Sequence, residues 1–205
     1  MKTYYNATKN VLFQPDKPLR IATLGPAGTC SEQIAIQHFN NEARPAEIIL
    51  YPAFEESVQK LIDGEVDLVL IPSAYLYIRD IIMDNAGIIQ IVDAFVHSTP
   101  PFVLVADASI SKDNLLIAAH PSPTPLLKRI LTNPKVVEAR SNSDAFDKFV
   151  NGEVTACLTV KSEKIIPRLG QLNRFEIAIT EIGSIHMSWN IFARCDSWYK
   201  KPTVH

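Results

Sequence analysis

Four short polar stretches carry the residue types that could do chemistry, and each interrupts an otherwise apolar pattern. The first is Leu24-Gly25-Pro26-Ala27-Gly28-Thr29-Cys30-Ser31-Glu32. Its glycines permit a tight turn, and the hydroxyls of Thr29 and Ser31 lie where a helix presents unpaired N–H groups. That combination suits a carboxylate or phosphate oxygen. No Lys follows the second glycine, so this is not a Walker loop, and the spacing is not that of a dinucleotide fingerprint. The second stretch is Ala119-His120-Pro121-Ser122-Pro123-Thr124-Pro125. Its prolines stiffen a turn at a helix start, holding His120 and Ser122 in place. His120 could donate to an anion or carry a proton, or could simply be satisfied by the turn backbone. The third, Arg140-Ser141-Asn142-Ser143-Asp144, precedes a further helix, and N-capping accounts for one of its residues rather than all. The fourth, Ser184-Ile185-His186-Met187-Ser188-Trp189, sets His186 and Ser188 among apolar neighbours. A Trp and a Met there are ordinarily core.

The elements behind these stretches alternate. Leu19–Leu24 reads as a buried strand, followed by a helix capped by Ser31 with Ile34, Ala35, His38 and Phe39 at helical spacing. Strand-like 47–50, helical 54–62 and the apolar strand 66–71 follow, with Gly64 ending the helix. The segments 87–96 and 101–106 are extended. A second run of the same kind has strands at 115–119, 135–139, 154–158, 174–180 and 189–194, with helices at 123–131 and 144–150. Ile62-Asp63-Gly64-Glu65-Val66 matches Val150-Asn151-Gly152-Glu153-Val154, which points to two lobes of like topology. The expected architecture is α/β: an N-terminal arm over 1–18, one lobe from 19–97 plus 185–205, a second from 98–184, and a substrate cleft between them. The first three polar stretches follow strands and precede helices, where an open α/β sheet gathers its ligands.

Composition narrows the classes. Net charge is −2, with 47% hydrophobic and 20% charged residues and no repeated basic cluster. That argues against nucleic acid or an anionic membrane as partner. No apolar run approaches the roughly 20 residues of a spanning helix, and the N-terminus lacks a secretory apolar core. Cys30, Cys157 and Cys195 are far apart without metal-ligand spacing, so a reduced, cytoplasmic protein with no metal or cofactor is expected. These features define a two-lobed protein for a small acidic metabolite, and leave its reaction open.

From about Leu19 to Arg194, the order of the motifs resembles the catalytic domain of prephenate dehydratases. That family opens with Leu-Gly-Pro-x-Gly-Thr-Phe-Ser, matched at Leu24–Ser31 with Cys30 in place of the aromatic. Pro-Ile-Glu-Asn-Ser, His-Pro-Gln, Ser-Thr and Thr-Arg-Phe correspond here to Pro72-Ser73-Ala74-Tyr75, His120-Pro121-Ser122, Ser141-Asn142 and Ser188-Trp189-Asn190. The resemblance implies a periplasmic-binding-protein-like fold with paired subunits, and the chain is too short to add a regulatory ACT domain. Two departures stand out: Ala74-Tyr75 replaces a Glu-Asn pair, and Trp189 replaces an arginine. Both look like the prephenate decarboxylases of anticapsin/bacilysin-type pathways, which carry Pro-x-Ala-Tyr, His-Pro-Ser-Pro and x-Met-Ser-Trp.

Such an enzyme removes carbon dioxide from prephenate without aromatising the ring. Electrons released into the ring either expel the C4 hydroxide, giving phenylpyruvate, or take a proton at a ring carbon, giving a dihydro-4-hydroxyphenylpyruvate. The second course requires acid to be withheld from the hydroxyl, and Trp189 is expected as an apolar wall there. Ser188, His186 and Tyr75 are the catalytic candidates, with the ring-proton donor left open among them. Thr29, Ser31, His120, Ser122, Ser141, Asn142 and Trp189 are expected to bind substrate. Restoring the dehydratase residues at 74, 75, 188 and 189 is expected to raise the phenylpyruvate fraction. A dehydratase with a variant site, and a non-catalytic small-acid binding module, are the competing readings.

Overall fold

The computed structural model describes residues 18–39, 46–162, 166–170 and 176–198. The expected arm lies outside the described residues except for Pro18, as do the first residues of the expected strand 174–180. In chain order the strands are β1 (Leu19–Leu24), β2 (Ala46–Tyr51), β3 (Leu68–Pro72), β4 (Ile89–Ser98), β5 (Phe102–Asp107), β6 (Leu116–Ala119), β7 (Lys135–Glu138), β8 (Ala156–Val160), β9 (Ile177–Gly183) and β10 (His186–Arg194). The α-helices are α1 (Cys30–Phe39), α2 (Phe54–Ile62), α3 (Ile78–Asp84), α4 (Asn142–Asn151), α5 (Ile166–Leu169) and α6 (Cys195–Trp198).

The described residues fall into two compact units. Unit 1 holds 18–25, 31–97 and 187–198, and unit 2 holds 26–30 and 98–186. Each is built on a five-stranded mixed sheet, in the order β2-β1-β3-β10-β4 in unit 1 and β7-β6-β8-β5-β9 in unit 2. In each, one strand has parallel partners on both sides: β1 lies between β2 and β3, and β6 between β7 and β8. An antiparallel strand then joins the trio, β10 against β3 and β5 against β8. The reason lies in the sequence. Leu68 to Ile71 are at most 1% exposed and every residue of β5 and β8 is buried, so these continuous apolar runs fit only a sheet covered on both faces. Phe54, Val58 and Leu61 of α2 cover part of the first sheet, and Ala145, Phe146 and Phe149 of α4 part of the second.

The two matching pentapeptides occupy the same place in the two units. Gly64 and Gly152 both take left-handed φ, 76° and 77°, just past α2 and α4. The N–H groups of Gly64 and Glu65 donate to the Leu61 and Lys60 carbonyls, and those of Gly152 and Glu153 to Phe149 and Lys148. This paired bonding satisfies carbonyls that a helix end leaves open, and only glycine adopts the required φ without penalty. Even the side chains repeat: Lys60 meets Glu65 at 3.0 Å and Lys148 meets Glu153 at 3.2 Å. Gly152→Ala should therefore lower stability by about 1–2 kcal/mol, read as a lower urea midpoint with an unchanged slope.

Several expectations need correction. The helix α1 begins at Cys30, because Gly28 reverses the chain at φ 95°; Ser31 lies inside the first turn rather than capping it. The segment expected as a helix over 123–131 is a 3-10 helix, Thr124–Arg129. Its bonds step by three residues, as from Leu126 N–H to the Pro123 carbonyl, and Pro125 has no N–H to give. The strands β3 and β8 each start two residues later than their apolar runs, since Val66 and Val154 belong to the turns after the glycines and bury there. Between Tyr77 and Asn85, α3 adds a helix not expected from the sequence.

Candidate active site

In unit 2 the parallel strands β7, β6 and β8 end along one edge, and three of the polar stretches collect there. The N–H of Ala139 donates to the Ala119 carbonyl at 2.9 Å, which sets Arg140-Ser141 beside His120. The Thr159 hydroxyl, on β8, donates to the Asn142 carbonyl at 2.9 Å. The Asn142 amide in turn donates to Cys30 Sγ at 3.7 Å, bringing in the first stretch. Thr29 is buried beside Cys30 in the sequence.

Local bonding fixes the state of each group. His120 Nδ1 accepts from the Ser122 N–H at 3.3 Å, which leaves the ring proton on Nε2. Burial holds the His120 pKa below its usual value, with Glu138 acting in the opposite sense, so the ring is neutral near pH 7. The turn backbone thus satisfies one face of His120 and leaves the Nε2–H face as a donor. Ser141 caps α4: its hydroxyl oxygen accepts from the Asp144 N–H at 3.0 Å. Arg140 meets Asp144 at 3.0 Å, and although burial works against it, the Asp144 carboxyl is held below the usual range by Arg140. Ser122 is exposed. Asn142 Oδ1, Ser143 Oγ and Ser162 Oγ are buried and find no hydrogen-bond partner among the described residues. Orphaned polar atoms of this kind need an explanation, and a ligand is one.

Unit 1 has a corresponding edge, where β1, β2 and β3 end. The Gly25 N–H donates to the Tyr51 carbonyl at 2.8 Å, and the Ser73 N–H to the Ser188 carbonyl at 2.9 Å, so Ser188 stands beside the Ser73-Ala74-Tyr75 turn. The Tyr75 hydroxyl donates to Glu55 Oε1 at 2.5 Å. Burial pushes the Tyr75 phenol up in pKa, and Glu55 pushes it further. Its ring packs edge-on to Phe54, with centroids 4.6 Å apart, and to Tyr77 at 5.8 Å. Trp189, expected as a wall against the substrate, is 1% exposed: it is packed within the sheet opposite Pro72, and its indole N–H donates to the His97 carbonyl at 3.4 Å. Ser31 is buried at the start of α1.

His186, the first residue of β10, is paired with Ser98, the last of β4: Oγ lies 2.8 Å from Nδ1. Neighbouring backbone ties the same two segments, through Thr99 N–H to the Ile185 carbonyl and Ile185 N–H to Thr99 Oγ1. Neither Glu55 nor Ser98 is singled out by the sequence. Glu55 looks like an ordinary acid in the first turn of α2, and its partner is 20 residues away. Among the described residues no group of three or more His, Cys, Asp or Glu could hold a metal ion, and no helix is long and apolar enough to cross a membrane.

A family model for prephenate dehydratase matches residues 21–186, and the chain belongs to that family. It is 32% identical over 204 residues to a prephenate decarboxylase of Planktothrix agardhii, covering 94% of each chain. It is 26% identical to a prephenate decarboxylase of Bacillus subtilis, covering 92% of this chain and 93% of that one. Among solved structures, a prephenate dehydratase from Arthrobacter aurescens in complex with L-Phe aligns with a TM-score of 0.58 and 16% identity, over 86% of this chain and 60% of that one. That last likeness is one of fold.

Proposed function

We propose that the chain is a prephenate decarboxylase, releasing carbon dioxide from prephenate and leaving a non-aromatic dihydro-4-hydroxyphenylpyruvate. The full-length similarity to the Planktothrix agardhii enzyme carries this reading. Ala74-Tyr75 and Ser188-Trp189, which depart from the dehydratase pattern, are adjacent in unit 1 through the Ser73–Ser188 bond and support it. Prephenate is a dianion. For its carboxylates, unit 2 offers the Nε2–H of neutral His120, the N-terminal N–H groups of α4, and the hydroxyls of Thr29, Ser122 and Ser141, with Asn142 beside them. Burial pushes the Cys30 thiol up to about 12, so no thiolate repels the substrate there. Among the residues of unit 1 this reading gives Ser31 to binding, and it leaves the ring proton to Tyr75, Ser188 or His186. Trp189 acts by keeping the neighbouring sheet apolar rather than by touching the ring. A homodimeric, cytoplasmic enzyme serving synthesis of a non-proteinogenic amino acid or antibiotic completes the reading.

Prephenate incubated with the protein near neutral pH should disappear without a matching rise in phenylpyruvate absorbance, and mass spectrometry should find a product lighter by carbon dioxide that retains the hydroxyl. Acid must be avoided, because it aromatises prephenate without an enzyme. Phenylpyruvate as the main enzymatic product would install the dehydratase reading. Saturable binding without turnover would make the chain a small-acid binding module.

A further inference from the structure

We propose that Glu55 decides which way Tyr75 presents its hydroxyl, and through that orientation keeps the substrate ring from aromatising. The inference rests on the decarboxylase reading above, and it assigns a positioning role to a residue that the chemistry itself does not need.

A carboxylate has no proton to give, so in the Tyr75–Glu55 pair the phenol must be the donor. At 2.5 Å the bond lies at the short end for a hydroxyl on an anion, where such bonds are strongest. The geometry is fixed from both ends. Phe54 packs edge-on against the Tyr75 ring while the next residue, Glu55, holds its hydroxyl. The Tyr75 N–H donates to the Pro72 carbonyl at 3.0 Å, tying its backbone to the end of β3. With its one proton committed to Glu55, the Tyr75 oxygen meets any third group as an acceptor only. The ring proton then falls to Ser188 or His186.

That polarity matters for the two fates of the ring. When the bond from ring carbon C1 to the carboxylate breaks, its electron pair enters the ring. Aromatisation sends that pair on to break the C4–oxygen bond, and hydroxide leaves easily only if something donates a proton to the oxygen. A tyrosine free to donate would assist this. A tyrosine held as an acceptor instead takes a hydrogen bond from the C4 hydroxyl, leaving more negative charge on that oxygen and making it a poorer leaving group. The pair then collects a proton at a ring carbon, and the hydroxyl stays.

Product ratios from prephenate at neutral pH test this with Glu55→Gln, Tyr75→Phe and the double variant. Glutamine is close in shape, uncharged, and able to donate as well as accept, so it no longer obliges the phenol to be the donor. Glu55→Gln should raise the ratio of phenylpyruvate to dihydro product at least tenfold, and Glu55→Ala should move it in the same direction. In a Tyr75→Phe background the Gln substitution should move the ratio no further, since its effect runs through the phenol. An unchanged ratio in a folded, active Glu55→Gln enzyme overturns the inference, as does a full Gln effect in the absence of the Tyr75 hydroxyl. If the wild-type protein itself makes mainly phenylpyruvate, the decarboxylase reading fails first and takes this inference with it.

Discussion

Trp189→Arg, which restores the dehydratase residue, should unfold unit 1 rather than convert its chemistry. Trp189 is 1% exposed, in a strand hydrogen-bonded on both sides between β3 and β4. Removing the indole alone, as in Trp189→Ala, forfeits transfer free energy and leaves a cavity, together about 3–5 kcal/mol. Arginine adds a guanidinium on the sheet face that also carries the buried Leu70 and Ile191, and an unpaired buried charge is among the most destabilising changes a core can receive. Against a typical domain stability of about 5–15 kcal/mol, the combined loss leaves little folded protein. Urea unfolding followed by circular dichroism should show the Ala variant with a much lower midpoint and the Arg variant with little or no folded baseline. A Trp189→Arg protein as stable as wild type would mean that position 189 is far more open than the structure has it. A fourfold swap at positions 74, 75, 188 and 189 is therefore a poor probe of product choice. Changes at the exposed Ala74 and Glu55, and Tyr75→Phe, which keeps the ring against Phe54, leave the core intact.

The second large effect is in thiol chemistry. Burial pushes the Cys30 thiol up to about 12, with the Asn142 hydrogen bond working the other way, and raises Cys157 as well. At pH 8 a pKa of about 12 leaves about one thiolate in ten thousand, against about a quarter for a free thiol near 8.5. Since the thiolate is the nucleophile, Cys30 should react with a disulfide reagent about a thousandfold more slowly than free cysteine. Cys30 is partly exposed and Cys157 is buried. In native protein Cys30 should therefore react far more slowly than the same residue in the unfolded chain, where all three thiols are released. A fast native reaction at Cys30 would contradict its neutral state. The same shift has a pH signature. Between about 9 and about 12 the folded state keeps the Cys30 proton while the unfolded chain has lost it. The unfolded state then binds fewer protons, so stability falls as pH rises through that window.

Most strands are legible because strands covered on both faces must be continuously apolar, as Leu68–Ile71 of β3 and the run Ala156–Val160 of β8 illustrate. Their starts are misjudged where a buried valine belongs to a turn, since burial alone does not separate Val66 from Leu68. The helix α3 buries only Ile81, so it has little of the apolar stripe that marks α2. At the site, the polar stretches are visible because hydroxyls and histidines interrupt apolar runs. What each group does with its proton is not visible. The orientation of Tyr75 comes from Glu55 across a turn, and that of His120 from a backbone N–H in a proline-rich loop. Such pairings belong to tertiary geometry and leave no periodicity behind.

The place of β10 has a consequence for how the chain is made. It lies between β3 and β4 in the first sheet, yet it is translated only after residues 99–185. At about 5–20 residues per second, on the order of ten seconds separate the emergence of β4 from that of the strand that joins it to β3. Throughout that interval the nascent chain carries two strand edges with no partner, while every strand of the second sheet, β5 to β9, becomes available. The later-coded sheet is therefore the one that can close first, and the earlier one waits for β10. A ribosome stalled before His186 would hold a chain with those edges bare, the kind of intermediate that recruits chaperones or pairs with its neighbours on a polysome.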